Sequence, residues 1–105
     1  MAQPQPEKRS TRRFSLELPI TITYAGNSAA ELAAQSRDVS SRGVFMYVNS
    51  EFAEGVALEF VMTLPREITL AEPIRVRCIG RVLRVENRDH RQGVAVSIEN
   101  YDIVE

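Results

Sequence analysis

Tryptophan is absent from this 105-residue chain, and it has only one cysteine and one histidine. A lone cysteine, Cys78, excludes an intrachain disulfide. Its place in an apolar strand pattern marks it as a small buried hydrophobe rather than a nucleophile. The lone histidine, His90, stands between Asp89 and Arg91 in a polar stretch and reads as an exposed loop residue. With no Cys/His cluster at metal-ligand spacing, no metal site is expected. No glycine-rich phosphate loop precedes a helix. The carboxylates form no acid–base pair, and Ser40 and Ser41 have no base beside them in sequence. No catalytic residue or cofactor is therefore expected, and the chain does not read as an enzyme.

Two further absences narrow the partners. No apolar run approaches the ~20 residues that a membrane-spanning helix needs, so no direct membrane insertion is expected. Residues 1–9 lack the hydrophobic segment of a secretory signal, and the expected location is cytoplasmic. Aromatic residues make up 7% and the net charge is −1. A barrel that binds nucleic acid wants a basic stripe with exposed aromatics, so nucleic acid is not an expected partner.

What is present suits one domain with a single core. Residues 1–13 read as a flexible basic arm, and residues 14–105 as the folded domain. The arm carries Lys8, Arg9, Arg12 and Arg13 against Glu7, on an otherwise near-neutral body. That distribution points to a local anion site rather than to long-range steering. Arg9 and Arg13 share a face either on a helix or in an extended chain, since they are four apart.

Residues 14–24 alternate cleanly, with Phe14, Leu16, Leu18, Ile20, Ile22 and Tyr24 on the face expected to turn inward. Pro19 lies on the other face and marks an edge or a bulge. Residues 32–36 form a weak, alanine-rich strand leading into a polar motif. Residues 43–48 are a continuous apolar run, suited to a strand covered on both sides or at an interface. Residues 56–64 alternate again, and residues 65–73 connect two prolines. Residues 74–86 are the longest strand; their pattern slips near Gly80, with Leu83 and Val85 expected inward beyond it. A polar hairpin loop is expected over 86–92, a last strand over 93–98, and an exit from the domain after that. About six strands and no convincing helix predict an all-β fold, a small six-stranded antiparallel β-barrel that removes its own edges.

The polar motif is Asp38-Val39-Ser40-Ser41-Arg42-Gly43. On an extended strand Asp38 and Ser40 share a face. Two readings stand side by side. The six residues can form a plain turn in which Ser caps backbone amides. They can also form one rim of a ligand site, with the carboxylate accepting from a base such as guanine and Gly43 allowing close approach. Arginine is the complement, able to clasp phosphate and to pair with the O6 and N7 acceptors of guanine.

Arg9-Ser10-Thr11-Arg12-Arg13 fits RxxxR, and Asp38 to Gly43 fits DxSxxG. Their order, with one alternating strand between, resembles the PilZ domain, a bacterial receptor family for cyclic di-GMP. Gly80-Arg81-Val82-Leu83-Arg84 and Gly93-Val94-Ala95-Val96 are similar to that family's closing strands, so the resemblance spans residues 8–98. It implies a six-stranded barrel and a non-enzymatic cyclic di-GMP sensor. It implies that Arg9 and Arg13 take the phosphates and guanines, while Asp38, Ser40 and Gly43 line the guanine pocket. Lys8, Arg12 and Arg42 are auxiliaries. The arm would close onto the barrel and change the surface offered to a protein effector. The chain departs from the family at its end, where residues 100–105 leave room for at most one helical turn, so little or no C-terminal helix is expected. The alternative is an adaptor of the same fold that binds no nucleotide and presents an apolar surface around Phe45, Met46 and Tyr47.

Overall fold

A computed structural model of the chain describes residues 15–88 and 90–104. In chain order the elements are β1 (Pro19–Ala25), β2 (Ser28–Val39), β3 (Gly43–Val48), β4 (Ala57–Leu64), α1 (Arg66–Thr69), β5 (Ile74–Arg88), β6 (Arg91–Ser97) and β7 (Asn100–Val104). Strands pair in the order β4-β1-β2-β3-β6-β5, and β4 pairs with β5 to close a six-stranded antiparallel barrel. The expected barrel is thus present, with one short helix inside the connection between the two prolines.

The lumen is filled by side chains. Ile22, Met46, Phe60 and Val94 are completely buried, joined by Leu18, Ile20, Val44, Leu58, Met62, Cys78, Val82 and Val96. Burying a side chain of this size contributes roughly 1.5–3 kcal/mol. Pairing explains why β2 is a strand of 12 residues despite its alanines. The β-propensity scale spans only ~1 kcal/mol, and β2 is paired on both edges, with β1 and β3.

Bulges decide where the alternation fails. The register of β1 shifts between Ile22 and Tyr24 against both of its neighbours. Tyr24, expected inward, therefore turns out and is 48% exposed. Likewise Leu83, expected inward, is 59% exposed, while Val82 is buried. Cys78, Gly80 and Val82 keep one face, and the slip falls between Val82 and Arg84 instead of at Gly80. Gly80 serves close packing instead, since a Cβ there would collide with the carbonyl of Ser97 where the two strands cross.

The described part of the strand expected over residues 14–24 begins its ladder at Pro19, which as first strand residue loses nothing by lacking an N–H. Leu18 and Leu16 still pack on the core. The expected loop over 86–92 is mostly ladder, with Asn87 opposite Gln92 and Arg88 opposite Arg91. Gln92 is buried and accepts from the Phe52 amide at 2.8 Å.

After β6 the chain does not leave. It forms β7, which pairs with β5 over Arg75–Ile79 on the edge opposite β4, as Cys78 faces Tyr101 and Val76 faces Ile103. Its other edge has no neighbour among the described strands.

Candidate functional site

The β2–β3 hairpin holds three of the residues singled out by sequence. Ser40 N–H donates to the Gly43 carbonyl at 2.9 Å, closing a tight turn. The Ser40 hydroxyl oxygen accepts from the amides of Arg42 and Gly43, each at 3.2 Å. These bonds are the ones that the turn reading of the motif describes for Ser40. Ser40 stands inside the hairpin and shapes it, rather than sharing a strand face with Asp38. Arg42 is exposed, and its carbonyl accepts from the Ile98 amide at 2.8 Å. Gly43 does not adopt a left-handed conformation. A Cβ there would stand 3.0 Å from the Val96 carbonyl oxygen, so a larger residue would require the neighbouring strand to give by a few tenths of an ångström.

Asp38 belongs to the outer wall of the barrel. The register between β2 and β3 shifts between Ser36 and Asp38, so one extra residue is inserted there. Successive residues of a regular strand point to opposite faces. The bulge overrides this and brings Arg37 and Asp38 to the same wall. Arg37 Nε donates to Asp38 Oδ2 at 2.8 Å, with the aspartate side chain 13% exposed and the arginine 44%.

Phe45, opposite Asp38 on β3, forms the floor of this wall. The Arg37 guanidinium carbon lies 3.9 Å above its ring centroid. Phe45 meets Tyr47 edge-on, with ring centroids 5.6 Å apart, and Arg91 caps Tyr47 at 4.1 Å. Gly93 makes room from the adjacent strand: a Cβ there would reach within 2.6 Å of the Phe45 ring. Hydrogen bonding to Asp38 raises the Arg37 pKa above its ordinary value; burial opposes this, and Tyr47 adds a smaller upward contribution.

Ser36 ties the start of the described chain to this wall. Its hydroxyl accepts from the Leu18 amide at 2.8 Å and donates to the Leu16 carbonyl. The Ser36 amide donates to the Leu18 carbonyl at 3.1 Å. Residues 16–18 are thereby held beside β2, two positions before Asp38. Arg9 and Arg13, with the auxiliaries Lys8 and Arg12, lie outside the described residues.

Sequence reasoning missed Arg37 and Ser36, and it named Phe45 only as part of an apolar adaptor surface. Ser36 left a trace, being a polar residue on the inward parity of Leu32 and Ala34. Arg37 left none, because its side is set by the bulge. Cys78 is buried, and desolvation, helped by the charge of Asp102, pushes its thiol up to about 11, which suits a packing residue. No group of His, Cys, Asp and Glu among the described residues is arranged to hold a metal ion. No helix among them is long and apolar enough to cross a membrane.

A closed six-stranded barrel with a packed lumen and a polar constellation on its outer wall defines a class of small β-barrel domains. Within that class the chain belongs to the PilZ domain family, whose model matches residues 7–105. That family comprises receptors for cyclic di-GMP, and its members are typically non-catalytic binding domains. Among solved structures, the chain is similar to the inhibitor of motility (MotI/DgrA) of Bacillus subtilis, with a TM-score of 0.74 and 17% identity. The match covers 90% of this chain and 44% of that one, so the chain spans under half the length of its structural neighbour. None of the curated proteins gives a significant match.

Proposed function

We propose that this domain is a cyclic di-GMP sensor whose ligand lies on the outer wall beside the β2–β3 hairpin. The observation that carries the reading is the placement of Asp38, a mostly buried carboxylate on an aromatic-floored wall, next to the segment that leads to the arm. An ionised carboxylate accepts only, and guanine offers an N–H and an NH₂ on one edge. Leu16 is tethered to Ser36, and Arg13 is three residues earlier. At ~3.5 Å per residue that is a reach of about 10 Å, which supports a joint grip by Arg13 and Asp38 on one ligand. Arg9 extends the grip to the phosphates, with Lys8 and Arg12 as auxiliaries. Ser40 and Gly43 contribute by fixing the hairpin. Arg42, exposed on the turn, is a further auxiliary.

Closure of the arm would change the surface met by a protein effector. Titration calorimetry of the whole chain with cyclic di-GMP, beside GMP and cyclic AMP, tests this. Micromolar binding, about −8 kcal/mol, is expected for the cyclic dinucleotide alone. No heat at high micromolar ligand overturns it.

One observation favours the adaptor reading as a second possibility. Tyr101 and Ile103 on β7 are 61% and 58% exposed, near Ile79 at 45%. The apolar surface expected at Phe45, Met46 and Tyr47 is not available, because Phe45 and Met46 are buried. An adaptor would use β7 instead, and it would bind its protein partner with no nucleotide present.

A further inference from the structure

The motif residues do not include the arginine that meets both Asp38 and Phe45. Arg37 lies in no motif, yet it is fixed from two directions. Its flat face rests on Phe45 at 3.9 Å, and its Nε holds Asp38 Oδ2 at 2.8 Å. The ring beneath it is itself fixed, by the edge of Tyr47 and by the missing Cβ of Gly93. An arginine–aspartate pair between adjacent residues needs both side chains on one face, and the bulge between Ser36 and Asp38 supplies that. The chain therefore departs from regular pairing at the position that brings this guanidinium against the carboxylate.

We propose that Arg37 is the positioning residue that sets guanine specificity in the site described above, by holding the Asp38 carboxylate in the rotamer that meets the base. The inference rests on that functional reading. A planar fork stacked on a ring loses little freedom when it bonds a carboxylate, so Asp38 is presented in one orientation. A carboxylate has about four lone-pair sites, so a group held by Nε can accept from a ligand as well. Guanine presents donors at N1 and N2. Adenine presents an acceptor at N1 and nothing at C2, so a fixed carboxylate repels it, whereas a carboxylate free to rotate away does not. Specificity of this kind depends on the repulsive contact as much as on the attractive one.

Arg91 provides an internal control. It stacks on Tyr47 in the same manner, at 4.1 Å, on the same wall. General loss of positive charge would affect both arginines alike, whereas Arg37 bonds Asp38 and Arg91 stacks on Tyr47.

The experiment is calorimetry of the full chain with cyclic di-GMP and cyclic di-AMP, for the wild type, Arg37→Ala, Arg37→Lys and Arg91→Ala. Thermal unfolding is followed in parallel. Arg37→Ala is expected to weaken cyclic di-GMP about tenfold, the cost of ordering a freed Asp38 side chain on binding, and to narrow the preference for guanine over adenine by a similar factor. Arg37→Lys keeps the charge but lacks the planar fork, and it should not restore the preference. Arg91→Ala should leave the preference unchanged. If the wild type binds and Arg37→Ala keeps its guanine preference, or if lysine restores it, the inference is overturned while the nucleotide reading stands. If the wild type binds neither ligand, the nucleotide reading itself fails, and this inference fails with it.

Discussion

Among the described residues two arginine–aspartate pairs lie on the outside of this barrel, and the arginines are almost equally exposed, 44% for Arg37 and 43% for Arg77. The aspartates differ. Asp38 is 13% exposed and meets its arginine at 2.8 Å; Asp102 is 64% exposed and meets its arginine at 3.5 Å. The first guanidinium has an aromatic ring beneath it, while the second borders a shallow groove with Ile79, Asn100 and Tyr101. An exposed pair of the second kind is worth about 0–1 kcal/mol, since water and mobile side chains compete for it. Residue identity thus says little about whether an ion pair matters. The burial of the acceptor and the packing of the donor decide it, and both come from neighbouring strands.

The largest expected effect would break the comparison outright. Asp38→Ala should cost cyclic di-GMP binding about 2–5 kcal/mol, because a desolvated acceptor is removed from facing charges. Asp102→Ala should leave the calorimetric affinity within about twofold, as rim charges do. Equal losses at the two sites would show that the β2–β3 wall is not privileged.

The next effect sharpens the β5–β7 side. Burial and, to a smaller degree, Asp102 lift the Cys78 thiol from 9.0 to about 11. The unfolded thiol ionises from about 9.0 upward, while the folded one keeps its proton until about 11. Its contribution to stability is therefore complete below pH 9 and is lost as pH rises through 11, a fall of ~3 kcal/mol. Urea denaturation between about pH 7 and pH 11 should show this fall in the wild type relative to Cys78→Ala. Parallel pH curves for the two proteins would refute it.

The smallest effect compares two serines. Ser36 is buried and bonds Leu16 and Leu18; Ser97 receives the Arg81 amide at 3.0 Å in an exposed position. Ser36→Ala should lower unfolding free energy by about 1–3 kcal/mol, because it strands a buried N–H. Ser97→Ala should stay within about 0.5 kcal/mol, as surface changes do. The same urea midpoints decide it, and amide exchange at Leu18 should quicken only in Ser36→Ala.

Much of the fold was legible because period-two alternation states which residues share a face. Ile20 and Ile22, Leu58, Phe60 and Met62, and Val94 with Val96 all turn inward as that alternation predicts. The doubly covered strand at residues 43–48 was legible too, from its unbroken apolar run. The failures at Tyr24 and Leu83 have one cause: a bulge resets parity, and its position depends on what the partner strand opposes. β7 was missed because a short segment of mixed polar and apolar residues alternates too weakly to announce a strand. Its pairing comes from β5, whose first half offers a free edge.

For the site, the sequence by itself determined that Asp38, Ser40 and Gly43 stand in one short polar stretch, one strand after a basic arm. It also determined the family, through motif order. Only the tertiary structure decided that Ser40 caps its own turn, that Arg37 turns to the side of Asp38, and that Phe45 lies beneath them. Those facts depend on residues 36–38 fitting against β3 and on Gly93 yielding space from β6. Local patterning fixes the choices available to each side chain, and contacts between strands distant in sequence select among them.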